Sequence, residues 1–274
     1  MKGNFVNTQV SNPREHPFVL SPHCTLLTLS IPVLLSLIAE PLTGLVDTAF
    51  IARLGSVPLA ALGVGTMVLS SIFWAFNFLG IGTQTEVAKA SGRQAFWRIQ
   101  QIGTTALLLS ATIGIALIGI VFFFSPKIVD LMGPTGELHT LAVSYVRIRL
   151  FGGPAVLITI AAFGVLRGVQ DMRTPLKIAV SLNVINIVLD ALLILGWGPF
   201  PALGVVGAAL ASTISQWFGA IWAVVAVCTV TGLSKRIQTR DWQKLLVIGG
   251  DLFVRTERTE FSGVQGIFVF YAMW

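Results

Sequence analysis

The sequence predicts an all-α membrane protein, a bundle of six transmembrane helices, and three observations support that fold class. Charged residues make up only 11% of the 274 residues and hydrophobic residues 54%, with a mean hydropathy of +0.83. Soluble domains carry about 25% charged residues, so this composition indicates a lipid environment. Six apolar segments are long enough to cross a bilayer, and the basic residues fall in alternate loops. The strict alternation of transmembrane β-strands is absent.

The six predicted spans follow from length and hydropathy. A helix needs about 20 mostly apolar residues to cross the hydrocarbon core of a bilayer. Backbone groups in lipid must be satisfied internally, so helices are the form expected at these lengths. At the start of the fifth span, Thr174 precedes Pro175, which predicts a threonine N-cap with proline at the first helical position. The spans are predicted over residues 26–51, 58–88, 99–124, 138–165, 176–197 and 203–230.

The placement of lysine and arginine predicts the orientation. Basic residues concentrate in the N-terminal segment, the second and fourth loops and the segment after the sixth span, whereas the other loops hold only Arg53 and Lys127. The positive-inside rule therefore predicts cytoplasmic placement of the N-terminus and of the segment after span six, in the cell (inner) membrane. Since the net charge of +6 is explained by topology, no nucleic-acid partner is expected.

Several polar residues lie inside the predicted spans. An aspartate near mid-membrane costs about 2.5–3.5 kcal/mol on insertion scales and is functional by default. Asp47 lies in the first span, with Glu40 seven residues earlier on nearly the same helix face. Asn183, Asn186 and Asp190 follow one another at i, i+3 and i+7 on the fifth span. For the two aspartates we favour a functional role over interhelical hydrogen bonding alone; for the asparagines the two interpretations are balanced.

The sixth span adds Ser212, Thr213 and Gln216 near a shared face. Together with the acids and amides they supply hard oxygen ligands, which suit Na⁺ or a proton shared between carboxyls. Arg147 and Arg149 lie near the outer end of span four, where snorkelling or a carboxylate partner would satisfy them. The sixth span also carries small residues at four-residue spacing, beginning at Gly204 and Gly207, which indicates close helix packing.

Four segments stand out in order along the chain. They are PLTGLVDTAFIARLG at 41–55 in the first helix, residues 80–93 in the second helix and its basic loop, LRGVQDMRTP at 166–175 in the turn between helices four and five, and GAALAS at 207–212 in the sixth helix. Together these segments resemble the MATE (multidrug and toxic compound extrusion) transporters, especially the DinF-like branch.

The resemblance implies a twelve-helix, cation-coupled antiporter that exports drugs or other small organic, often cationic, compounds. Of its two lobes, this chain corresponds to the amino-terminal one. The family's ion site maps onto Asp47, Asn186 and Asp190, where Na⁺ or H⁺ would bind, with Ser212 in place of a threonine found in some members. Glu40, Asn183, Thr213 and Gln216 are secondary candidates. No cofactor other than the coupling ion is implied.

The resemblance also predicts how the chain is organised. We expect a cytoplasmic tail at 1–24, the six-helix lobe at 25–231, and an interlobe linker with the start of a seventh helix at 232–256. Residues 257–274 no longer resemble the family and indicate a truncated product, an interpretation favoured over a half-transporter that dimerises. A membrane fragment without transport is thus one alternative. An intramembrane enzyme is a remote one, because metal-protease, serine-hydrolase and P-loop motifs are absent.

Overall fold

The computed structural model describes residues 22–197 and 201–234. Over these residues the backbone forms helices and connecting turns, with no strand. The helices are α1 (Pro22–Ala52), α2 (Ser56–Trp74), α3 (Phe78–Gly92), α4 (Phe96–Asp130), α5 (Gly136–Leu150), α6 (Gly153–Gly168), α7 (Arg173–Ile194) and α8 (Val205–Val230).

These helices supply six candidate membrane spans, which confirms the predicted fold class. α1, α4, α7 and α8 are each long and apolar enough to cross a membrane, and α2 with α3 forms one further candidate over Ser56–Gly92. α5 and α6 meet the same requirement together, as a pair bent by 49°. Large apolar side chains on the outside of the bundle, such as Phe123 and Ile115, are well exposed, as expected for a surface that faces lipid.

Two of the spans predicted as unbroken segments are interrupted. The second span breaks between Trp74 and Phe78, and the fourth between Leu150 and Gly153. The fourth break coincides with the sequence Gly152-Gly153-Pro154, where proline removes a backbone donor and would clash with a continuing helix. α4 packs closely here, since a Cβ on Gly114 would lie 2.4 Å from the Cα of Pro154.

The fifth span begins with a different cap from the one predicted. α7 starts at Arg173, and the Thr174 backbone N–H donates to Asp171 Oδ1 at 3.0 Å. The Thr174 hydroxyl donates to Asp171 Oδ2 at 2.6 Å. Asp171 therefore caps this helix, and the predicted role of Thr174 as the cap was wrong. The carboxylate reaches the backbone donor because the turn before the helix brings Asp171 back over its first turn.

α7 and α8 run side by side in close contact, as the small residues of the sixth span predict. A Cβ on Gly207 would lie 2.4 Å from the backbone oxygen of Leu193, and one on Gly219 would lie 2.4 Å from the Leu182 side chain. α1 packs mainly against α7 and less against α2. This arrangement sets the first, fifth and sixth spans next to one another.

Parts of the predicted organisation fall outside the described residues. These parts are residues 1–21 of the tail, 235–256 of the linker and seventh helix, and the whole of 257–274. Residues 231–234 follow α8 and contact the start of α4: Gln100 Nε2 donates to the Thr231 carbonyl at 2.9 Å, and the Ser234 N–H donates to Thr104 Oγ1 at 2.9 Å.

Candidate cation site

The polar groups predicted on the first, fifth and sixth spans meet at one place. Asp47 lies in the last two turns of α1, Asp190 in the last two turns of α7 and Ser212 within the first three turns of α8. All three are buried, and Asp190 is 0% exposed. The cluster therefore lies toward the end of the bundle opposite the basic loops.

Asn186 connects the two acids. In the amide orientation that satisfies both of its polar groups, Nδ2 donates to Asp47 Oδ1 at 3.1 Å and to Asp190 Oδ2 at 3.3 Å. The amide oxygen then accepts from the Ser212 backbone N–H at 3.3 Å. The opposite orientation would turn the amide oxygen toward two carboxyls and leave Nδ2 only the Ser212 hydroxyl, at 3.4 Å. We therefore assign the first orientation.

The acids are neighbours. Asp47 Oδ1 and Asp190 Oδ2 both lie within 3.3 Å of the same atom, the Asn186 amide nitrogen. Asp190 Oδ1 is buried and has no hydrogen-bond partner in the described part of the chain. Two acids in such proximity cannot both carry a negative charge without a nearby cation or a shared proton. The cluster offers carboxyl and hydroxyl oxygens, which can hold a proton or a hard cation, while the Asn186 amide presents its nitrogen to the acids.

The secondary candidates lie in other surroundings. Thr43 of α1 donates through its hydroxyl to Asn183 Oδ1, one turn from the acids toward the basic loops. The Thr213 hydroxyl donates to the carbonyls of Ala209 at 2.8 Å and Ile148 at 3.3 Å, so it binds backbone beside the break in the fourth span. Gln216 Oε1 is buried close to Gly152 at that same break. Glu40 belongs to α1, and its side chain falls outside the described part of the structure.

Sequence reasoning missed one further contact of α1. The Arg167 guanidinium donates to Ser36 Oγ at 3.2 Å and lies over the Phe163 ring, 5.6 Å from its centroid. Together with Thr43 and Asp47, Ser36 completes a polar stripe on α1 at i, i+7 and i+11, which is one helix face. The hydroxyl residues could have been found by extending that spacing from Asp47 toward the N-terminus.

Arg149 is the other residue whose importance the sequence did not reveal. It lies on α5 beside the part of α8 that carries Ser212, since the Thr213 hydroxyl donates to the carbonyl of Ile148, the residue before Arg149. The sequence predicts that a carboxylate could satisfy this arginine, but the partner depends on how α5 turns at its end. Among the described residues, no group of three or more His, Cys, Asp or Glu side chains could hold a metal ion.

Comparison with known proteins gives the family. The sequence profile of the MatE family matches residues 32–192, which is more than half of the chain. The chloroplastic DETOXIFICATION 44 protein of Arabidopsis thaliana is 33% identical over 246 residues, covering 84% of this chain and 46% of the relative. DNA damage-inducible protein F of Escherichia coli is 31% identical over 251 residues, covering 87% and 53%.

A solved structure agrees with the sequence relatives. An outward-facing multidrug resistance MATE family transporter of the MOP superfamily matches with a TM-score of 0.75 and 26% identity, over 82% of this chain and 51% of that one. The chain thus spans about half the length of the relatives it matches. Relatives and fold are those of transporters and not of enzymes, and the family profile covers Asp47, Asn186 and Asp190. The chain belongs to the MATE family of membrane transporters.

Proposed function

We propose that this chain forms the cation-coupled lobe of an antiporter that exports drugs or other small organic compounds. The observation that carries the proposal is the buried cluster of Asp47, Asn186, Asp190 and Ser212, which joins α1, α7 and α8. The proposed exchange takes up one kind of monovalent cation, Na⁺ or H⁺, at this cluster. The compound moves in the opposite direction.

The coupling follows from the charges at the helix contact. With a cation or proton bound, Asp47 and Asp190 attract a shared positive charge, which stabilises the contact between α1 and α7. Without it, the two carboxylates repel each other across the same contact. Because α1 is held largely by α7, cation binding biases the packing of α1 and thereby the conformation of the lobe.

The exported compound would bind beside a second lobe. Since the chain spans about half the length of its relatives, we propose that a second lobe or a second copy completes the binding cleft. A relative suggests the substrate class, since one solved homologue is a multidrug resistance transporter. A membrane fragment without transport remains the alternative, because it shares the same cluster.

A transport assay tests the proposal and its alternative. Inverted membrane vesicles would carry either this chain alone or a chimera in which residues 22–234 replace the matching half of DNA damage-inducible protein F. Fluorescent organic cations that the unaltered relative exports would serve as probes, driven by a proton gradient or a Na⁺ gradient in separate runs. We expect cation-driven export by the chimera. Export by the chain alone would support a functional dimer of two copies. Absence of export by the chain alone would support the membrane fragment without transport.

The site is tested in the same vesicles by Asp47→Asn and Asp190→Asn. We expect each change to reduce cation-driven export about 5–150-fold, the range of a coupling energy of 1–3 kcal/mol. Asp130→Asn is the matched control, because Asp130 is an exposed acid at the end of α4 that pairs with His139 at 3.0 Å. Export and ion dependence that survive Asp47→Asn unchanged would falsify the proposed role of this site.

A further inference from the structure

Arg149 occupies an unusual position for a charged residue. It lies in the last turn of α5, just before the break in the fourth span, within the membrane-spanning part of the fold. Its Nε and Nη1 atoms are buried, and neither has a hydrogen-bond partner in the described residues. The end of α5 lies beside the cluster, because the Thr213 hydroxyl, next to Ser212 on α8, donates to the carbonyl of Ile148, next to Arg149. No ion pair within the described residues joins Arg149 to either acid, so its attraction for them would act through the low-dielectric interior.

Arg147, two residues earlier, shows what a structurally satisfied arginine looks like on the same helix. Its Nε donates to Ser125 Oγ at 3.0 Å, and its guanidinium lies 4.9 Å from the centroid of the Phe122 ring. Arg147 thus contacts α4, whereas Nε and Nη1 of Arg149 have no such contact among the described residues. The pair provides a matched comparison within one helix turn.

The charges in the cluster can be counted directly. Two ionised carboxylates carry two negative charges, and the guanidinium offsets one of them. An isolated net charge in a low-dielectric interior is strongly unfavourable. We propose that Arg149 is a fixed internal cation of the acid site, so that one exchangeable monovalent cation, rather than two, neutralises Asp47 and Asp190. The proposal rests on the proposed cation site and specifies how many cations that site takes.

The other charged groups near α5 do not alter this count. α5 packs against α2, α4 and α8, and neither α2 nor α8 contains a charged residue. On α4, Asp130 pairs with His139 of α5, and Lys127 lies in the last turn, near the end of the bundle. Glu137 lies in the first turn of α5, far along the helix from Arg149. Arg167 lies at the opposite end of α6, where it contacts Ser36.

The experiment counts protonated carboxyls in the purified 274-residue chain in lipid nanodiscs. Infrared spectra of the C=O stretch of protonated carboxyls, recorded in sodium-free buffer near neutral pH, would be referenced to the Asp47→Asn/Asp190→Asn double variant. We expect about one protonated carboxyl in the natural chain and about two in Arg149→Gln, because the lost positive charge must be replaced. We also expect no protonated carboxyl in Asp47→Asn, because there Arg149 alone balances the charge of Asp190. In Asp47→Asn/Arg149→Gln we expect about one protonated carboxyl.

Two control variants separate the effect of the positive charge of Arg149 from other effects of the substitution. Arg149→Lys keeps the charge and should retain about one protonated carboxyl, and Arg147→Gln should match the natural chain. Thermal unfolding of every variant checks that it is folded. An Arg149→Gln spectrum equal to that of the natural chain, or an equal change in Arg147→Gln, would overturn the proposal. Failure of the cation site itself gives a different result: the acid variants would then leave the spectrum of the natural chain unchanged.

Discussion

At the scale of single residues, the cluster depends on Asn186 as much as on the acids. Its amide nitrogen is the donor that both Asp47 and Asp190 share, and its oxygen accepts from α8. The two acids could be identified from sequence because intramembrane carboxyls are rare and costly. The bridging role of the asparagine could not, since it depends on the rotation of α7 against α1. The same holds for Arg149, because the acids whose charge we propose that it offsets lie on helices far away in the chain.

Replacing Asn186 with leucine should destabilise the lobe. The change keeps a similar volume but leaves two buried carboxyls without their common donor, which costs about 1–3 kcal/mol of the free energy of unfolding. Asn77→Leu is the matched control, because Asn77 is exposed and its side chain makes no cap hydrogen bond at the start of α3. Unfolding in mixed detergent micelles measures both. Equal stability of Asn186→Leu and the natural chain would argue against the bridging contact.

At the scale of helices, the sequence predicted where spans begin and end better than how they bend. Hydropathy identified all six spans, because lipid selects for continuous apolar segments. It did not reveal the 49° bend between α5 and α6. Prolines inside α1 leave that helix continuous, whereas Gly152, Gly153 and Pro154 interrupt the fourth span. At this break the Trp217 indole donates to the Phe151 carbonyl at 3.0 Å, and the Thr213 hydroxyl donates to that of Ile148 at 3.3 Å. Side chains of α8 thus give the backbone at the break additional hydrogen bonds.

The close contact of α7 and α8 gives a prediction for Gly207. Gly207→Ala places a methyl group 2.4 Å from the backbone oxygen of Leu193, which cannot move as a side chain could. We expect a loss of about 1–3 kcal/mol in the free energy of unfolding, the usual cost of overpacking. Gly119→Ala is the control, because a Cβ there meets nothing within 4 Å. It should be neutral or slightly stabilising, since alanine favours helix. A Gly207→Ala variant as stable as Gly119→Ala would contradict the packing described here.

At the scale of the whole molecule, the basic loops and the acid cluster lie at opposite ends of the bundle. The loops after α3 and α6 are basic, and the acids lie near the ends of α1 and α7 on the other side. With the orientation proposed from the positive-inside rule, the cluster lies in the outer half of the membrane. A cation arriving from outside would then cross less of the lobe than one arriving from the cytoplasm.

Labelling with a membrane-impermeant maleimide tests that orientation. In a background with Cys24 and Cys228 replaced by serine and alanine, a cysteine would be introduced at exposed Thr135 or exposed Arg93. We expect Thr135→Cys to react in intact cells and Arg93→Cys to react only after permeabilisation. The reverse pattern would place the acid cluster in the cytoplasmic half, and the orientation proposed here would be wrong.

The polar stripe on α1 has a consequence for the rotation of that helix about its own axis. Ser36, Thr43 and Asp47 each meet a different partner, on α6, α7 and the acid cluster. A slip of one residue would turn the stripe by about 100° and direct all three groups toward lipid at once. Apolar helix faces tolerate small slips because one methyl group can replace another, whereas hydroxyl and carboxyl groups in lipid cannot. The stripe therefore fixes the rotation of α1 about its own axis. Any movement of this helix must tilt or bend it while that rotation is kept.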